Sequence, residues 1–183
     1  MALVGEAYRS YAPPKWVRPT VERLLAVVPA AHLSSVQAIV LTDAASLGVG
    51  KTQRVKGRKF DRRACRGFYH PKHQGAAASI HIVVDNVVAT SGAPFLLTFR
   101  PFREHLLADV LFHELGHHLD VTIGAAAPGG EAAAEDWSRH LSRAYFQRRY
   151  WWLRPVAQVL LPLVAWELSR RRRGRSRRSS RDS

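Results

Sequence analysis

"VLFHELGHHLD", from Val110 to Asp120, holds three of the chain's nine histidines. Two of them, His113 and His117, lie four residues apart with Glu114 directly after the first. An α-helix turns once in about 3.6 residues, so on a helix the two imidazoles project from one face. Imidazoles one turn apart can both reach a zinc ion at about 2.0–2.1 Å. Glu114 then falls roughly 100° round the helix, beside the ligands, where it can hold and deprotonate a water instead of ligating the metal. A pattern this short arises in roughly one chain in sixty of this composition, so its surroundings carry the weight.

Those surroundings are helical. In "RPFREHLLADVLFHELGHHLDVTIG" the residues Leu106, Leu107, Val110, Leu111, Leu115 and Leu119 recur at helical spacing, and Gly124 is a natural C-terminal stop. After a short loop, "EAAAEDWSRHLSRAYFQRRY" predicts a second helix, with Trp137, Leu141 and Tyr145 as its apolar stripe and acids in its first turn. A catalytic zinc needs a third protein ligand and an open fourth position. From His117 to Ile123 the helix climbs about 9 Å, and a seven-residue loop spans up to about 23 Å. An antiparallel second helix can therefore return Glu131 to the ion, with Glu135 one turn later.

Upstream, "PTVERLLAVV" reads as a helix with Pro19 in its first turn. Val36 to Asp43 is short and β-branched, a buried strand. The basic stretch that follows contains Gly48, Gly50 and Gly57 without apolar period and predicts a long exposed loop. Cys65 to His70 and Ala78 to Val87 read as two further strands joined by a turn at Pro71 and Gly75. The expected fold class is α+β: a short mixed sheet with an antiparallel edge strand, packed on the HExxH helix and a second, ligand-bearing helix.

The motif "HELGH" followed by "EAAAEDWS" resembles the gluzincin type of zincin metallopeptidase. It is similar to the pattern E-x-x-A-[D/N]-x-F-A of the compact zincin domains that cleave bacterial repressors. The resemblance covers residues 65 to 146. It implies zinc-dependent peptide-bond hydrolysis, a peptide or protein substrate, zinc ligation by His113, His117 and Glu131, catalysis by Glu114, and Glu135 as the acid that orients a ligand histidine. Glu135 stands where the pattern has a shorter Asp or Asn, which leaves an exchange of roles with Glu131 open. The metzincin pattern fails, with Asp120 and Ile123 where glycine and histidine belong. Asp120 offers an acidic ligand in that scheme and reads more simply as a solvated acid near the helix end. His118 points away from the ligand face, as a core histidine would. The resemblance also implies that an extended peptide adds to the edge strand near Arg66 to His70.

Length and composition suit one zincin-like domain over residues 1–150, an apolar and aromatic segment over 151–168 and an Arg-rich tail over 169–183, expected to be disordered. The single cysteine, Cys65, excludes an intramolecular disulfide, and the opening residues carry no basic leader before an apolar run, so a cytoplasmic location is expected. The net charge of +14 is confined. Residues 51–66 carry eight Lys/Arg against one Asp, and "RRRRGRSRRSSRDS" (170–183) eight Arg against one Asp, so the remainder is neutral. This argues for local electrostatic attachment and against a nucleic-acid-reading surface spread over the fold. The stretch from Pro155 to Trp166 covers about 18 Å as a helix, too short for a hydrocarbon core of about 30 Å; it reads as docked against the domain or, with its flanking Trp and Arg, as a peripheral attachment to an anionic membrane surface. A rival function is therefore a non-enzymatic basic adaptor that attaches to anionic membrane or nucleic acid through residues 51–66 and 170–183. "ASLGVGKT" (45–52) fits a relaxed phosphate-loop pattern only if a helix follows it directly. His70, His73 and His140 are further candidates to stabilise an oxyanion.

Overall fold

The computed structural model describes residues 3–47, 52–55, 58–61, 64–73, 76–92, 94–123 and 129–153. The chain is α+β. Strand β1 (Leu3–Ala7), helix α1 (Val17–Leu25) and strand β2 (Val36–Thr42) form a parallel crossover unit. A two-stranded antiparallel ribbon follows, β3 (Thr52–Val55) and β4 (Arg58–Asp61). Strands β5 (Gly67–His70) and β6 (Ala78–Val83) complete a four-stranded mixed sheet of order β1-β2-β6-β5. In it β6 runs parallel to β2, and β5 runs antiparallel to β6 as an edge strand. Helices α2 (Val84–Ala89), α3 (Arg100–Ile123) and α4 (Glu131–Arg149) follow. The chain divides into two compact units, Met1–Tyr145 and Phe146–Ser183, so the division falls within α4.

Period-two burial sets the sheet's orientation. Ile39 and Leu41 on β2 and Ile80 and Ile82 on β6 are fully buried, while Ala38, Val40, Ser79 and His81 between and before them are half-buried; at the strand ends Thr42 and Val83 are buried as well. Val17, Val21 and Leu24 on α1 are buried at helical spacing, as are Leu107, Leu111, Leu115 and Leu119 on α3. Each such Leu or Ile contributes about 1.5–3 kcal/mol over an exposed position.

Two expectations fail upstream of the histidine helix. The basic stretch forms a hairpin ribbon, not a loop, because Thr52 to Val55 and Arg58 to Asp61 pair over four rungs. The strand expected to reach Val87 ends at Val83, and the chain turns into α2. Asp85 in the first turn of α2 accepts the N–H of Ala44 at 3.1 Å. The phosphate-loop pattern falls with this, since strand β3 occupies the place its helix requires. Gly124, the apolar segment beyond Leu153 and the Arg-rich tail lie outside the described residues. No helix among the described residues is long and apolar enough to cross a membrane.

Asp43, fully buried at the end of β2, ties the sheet to the segment before α1. Its carboxylate accepts the N–H groups of Arg9, Ser10, Tyr11 and Ser46, and the Ser46 hydroxyl bonds it closely. Burial alone would raise its pKa, but these hydrogen bonds outweigh burial and hold it below the ordinary 3.8. A carboxyl lowered by folding stabilises the protein above its unfolded pKa, and that contribution disappears as pH falls through the folded value. Asp43→Asn should therefore cost about 1–3 kcal/mol at pH 7, with the gap to the native protein narrowing below pH 4. Urea titrations at pH 7 and pH 3 measure this, and an equal gap at both would refute it.

Candidate metal centre

Helix α3 is held on one side by β5 and on the other by α4, and both approaches need glycine. A Cβ on Gly67 would come within 2.6 Å of Val110 Cγ1 and 3.1 Å of Glu114 Cγ. A Cβ on Gly116 would collide with the backbone of Ala134, its carbonyl oxygen above all. The glycine inside "HELGH" therefore lets α4 lie directly against α3. The two residues before α4 are fixed by Asp120, whose carboxylate accepts the N–H of Gly129 at 3.0 Å and of Gly130 at 2.9 Å. Gly130 has φ +62°, a left-handed conformation that suits glycine. Asp120 is thus neither the solvated acid nor the metal ligand weighed from the sequence. Only 7% exposed, it secures the turn that brings Glu131 back.

His113 and His117 stand edge to face, ring centroids 4.8 Å apart. Glu131 Oε2 lies 3.4 Å from His113 Nε2, and Glu131 Oε1 lies 3.7 Å from His117 Nε2. One ligand atom from each of the three residues falls within 4.8 Å of the others. Ligands at about 2.05 Å in a tetrahedron around zinc are about 3.3 Å apart, so this donor set fits a divalent ion. Burial holds the His117 pKa below its usual range, against the opposing charge of Glu131. That favours the neutral imidazole a metal requires. Glu135 Oε2 lies 3.8 Å from His113 Nδ1, on the ring edge away from Glu131, and also pairs with Arg139 at 3.2 Å.

Glu114 is 8% exposed and lies beside the trio in a cleft of about 900 Å³. Burial, and next the nearby charge of Glu131, push its pKa up to about 7; the backbone N–H of Tyr69 and the Arg66 guanidinium oppose the rise. A carboxyl poised there can accept a proton and return it near neutral pH. The cleft runs between β5 and the two helices, and Gly67, Phe68, Tyr69 and Pro71 form one wall. The N–H of Val83 donates to the carbonyl of Arg66 at 2.8 Å. Antiparallel alternation then pairs Phe68 and His70 with β6 and turns the backbone polar groups of Gly67 and Tyr69 to the open edge.

Three contributors were missed from the sequence. Tyr69 holds Glu114 through its backbone, and its hydroxyl meets His118 Nδ1 at 3.0 Å. Buried His118, as expected of a core residue, also reaches Ser35 Oγ at 3.0 Å. Arg66 pairs with Asp109 at 2.9 Å on the cleft wall. No single-residue signal marks Tyr69 or Arg66, whereas Asp109, one turn before His113, was legible from helical spacing. His70, His73 and His140 are not among the residues lining the cleft.

No family model, curated protein or solved structure matches this chain.

Gly116→Ala should destabilise the fold by about 1–3 kcal/mol and weaken metal binding, because α4 must retreat and carry Glu131 with it. Gly5→Ala is the control, since nothing lies within 4 Å of a Cβ there. Thermal melts and zinc titrations of both variants measure the difference; equal zinc affinity would contradict the role assigned to Gly116.

Proposed function

We propose that this protein is a zinc-dependent peptidase of the gluzincin type. The observation that carries the reading is the convergence of His113 Nε2, His117 Nε2 and the Glu131 carboxylate beside the buried Glu114. The resemblance of "HELGH" and "EAAAEDWS" to compact zincin domains supports the same reading.

His113, His117 and Glu131 would hold the ion, and Glu135 would steady His113 from its Nδ1 side. When bound, a divalent zinc ion polarises a carbonyl and acidifies water next to it. Glu114 takes the proton of the attacking water and passes it to the departing amine, first as base and then as acid. The Tyr69 N–H keeps the Glu114 carboxyl group in place through both steps. The open edge of β5 offers the Gly67 N–H and carbonyl to an extended peptide, fixing its main chain along the cleft.

Purified protein should carry close to one equivalent of zinc by mass spectrometry. Glu114→Gln should keep that zinc and lose peptide hydrolysis by about 10²–10⁴-fold. His113→Ala should lose both. Glu131→Gln should weaken zinc binding more than Glu135→Gln, whose loss should be about 10–100-fold. Full activity in Glu114→Gln, or a metal-free active protein, would end the reading.

A further inference from the structure

The β3–β4 ribbon has no part in the proposed chemistry, and its register is unfavourable by itself. Arg54 stands directly across from Lys59, and Arg58 occupies the next rung opposite Val55. Like charges directly opposite one another destabilise a strand pair, and a two-stranded ribbon is at best marginally stable alone. Three cations thus share two adjacent rungs. In sequence the excess continues on both sides, through Lys51 and Lys56 and on through Arg62 and Arg63, to +7 over residues 51–66.

The ribbon is tethered to the cleft. From Asp61 at the end of β4 to Arg66 is five residues, at most about 18 Å of extended chain. Arg66 is the only Lys or Arg among the described residues lining the cleft. The other charged residues there are Asp109, Glu114, Asp120, Glu131 and Glu135. A uniformly charged polyanion such as a duplex would meet these acids, and the chain outside its two basic stretches is neutral. A polypeptide can be neutral where it enters the cleft and acidic only beyond it.

We propose that the β3–β4 ribbon recruits an acidic segment of a polypeptide substrate, lying about five residues from the bond held in the cleft. This rests on the peptidase reading and names its substrate class. Arg66 continues the basic track from the ribbon to the cleft wall, where Asp109 fixes its guanidinium. Placing opposite charge on both partners speeds encounter and makes binding salt-sensitive.

The test uses full-length protein carrying Glu114→Gln, so that binding is read without cleavage. The probes are labelled peptides with one neutral, apolar centre and a run of five Asp/Glu at the N-terminal end, at the C-terminal end, or at neither. Fluorescence anisotropy should show about tenfold tighter binding when the run sits at one end, with the gain lost in 0.5 M salt. Adding R54Q/R58Q/K59Q should abolish that gain with zinc content unchanged. Adding R54E/K59E instead should transfer the preference to a Lys-rich run, which guards against a merely misfolded variant. In the hydrolysing protein, R54Q/R58Q/K59Q should raise KM for the acidic peptide about tenfold and leave kcat as it was. The proposal is overturned if the acidic run gives no gain or if R54Q/R58Q/K59Q retains it. It is also overturned if duplex DNA or phosphatidylserine vesicles lose more affinity than the peptide does in that variant. Ribbon-dependent binding without any hydrolysis by the unmutated protein would uphold the recruitment surface and remove the peptidase reading alone.

Discussion

The backbone of α4 touches α3 at Gly116, and the candidate metal centre depends on that contact. Helices pack at 8–10 Å when ordinary side chains separate them; here no side chain does, because a Cβ on Gly116 would strike the Ala134 backbone. Ala134 lies one turn after Glu131, so the depth of this contact decides how far the Glu131 carboxylate reaches over the two imidazoles. Asp120 then fixes the direction of approach through Gly129 and Gly130. Distance and direction come from two residues that ligate nothing.

Helix α3 serves four neighbours at once, and each is met by a row of residues four apart. Leu107, Leu111, Leu115 and Leu119 are buried in the core. Val110, Glu114 and His118 face β5, through Gly67 and Tyr69. Asp109, His113, His117 and Val121 line the cleft. Glu104, Ala108, Phe112, Gly116 and Asp120 form the fourth row, which meets α4. At one end Glu104 accepts a 2.7 Å hydrogen bond from the Tyr145 hydroxyl and ion-pairs with Arg23 and Arg100; Phe112 meets the Tyr145 ring; at the other end are Gly116 and Asp120. A fully buried glutamate is costly unless paired, and this one joins α1, α3 and α4 through its partners.

These rows explain which parts of the molecule were legible in the sequence. Leu107 to Leu119 and the His113/His117 pair announce themselves by period, chain reach allows an acid of the next helix to return to them, and the resemblance picks Glu131 over Glu135, so the α+β class and the candidate site could be anticipated. The fourth row could not, because its two ends are acids and Gly116 interrupts it, which leaves only Ala108 and Phe112 to register as apolar. Asp120 looks solvated until Gly129 and Gly130 are seen to donate to it. The β3–β4 ribbon was invisible for a related reason: Arg54, Arg58 and Lys59 have no alternating apolar face, and pairing across four rungs overrides weak strand propensity. The end of β6 was misjudged because Val84, Val87 and Val88 suit a strand as well as a buried helix, and periodicity cannot separate the two over so few residues.

Electrostatics gives the cleft its remaining character. Glu131 is 69% exposed and Glu114 is buried, yet the two carboxyls are close enough that the charge of one raises the pKa of the other. Burial holds His117 toward the neutral imidazole, which does little to offset them. Arg66, the one Lys or Arg among the described residues lining the cleft, is already engaged by Asp109. Among the described residues lining the cleft the acids outnumber the cations, and such a surplus of negative charge beside imidazole donors suits a divalent ion. Ligand geometry and local charge balance thus share one origin, since the packing of α4 on α3 that carries Glu131 to the imidazoles also sets its charge beside Glu114.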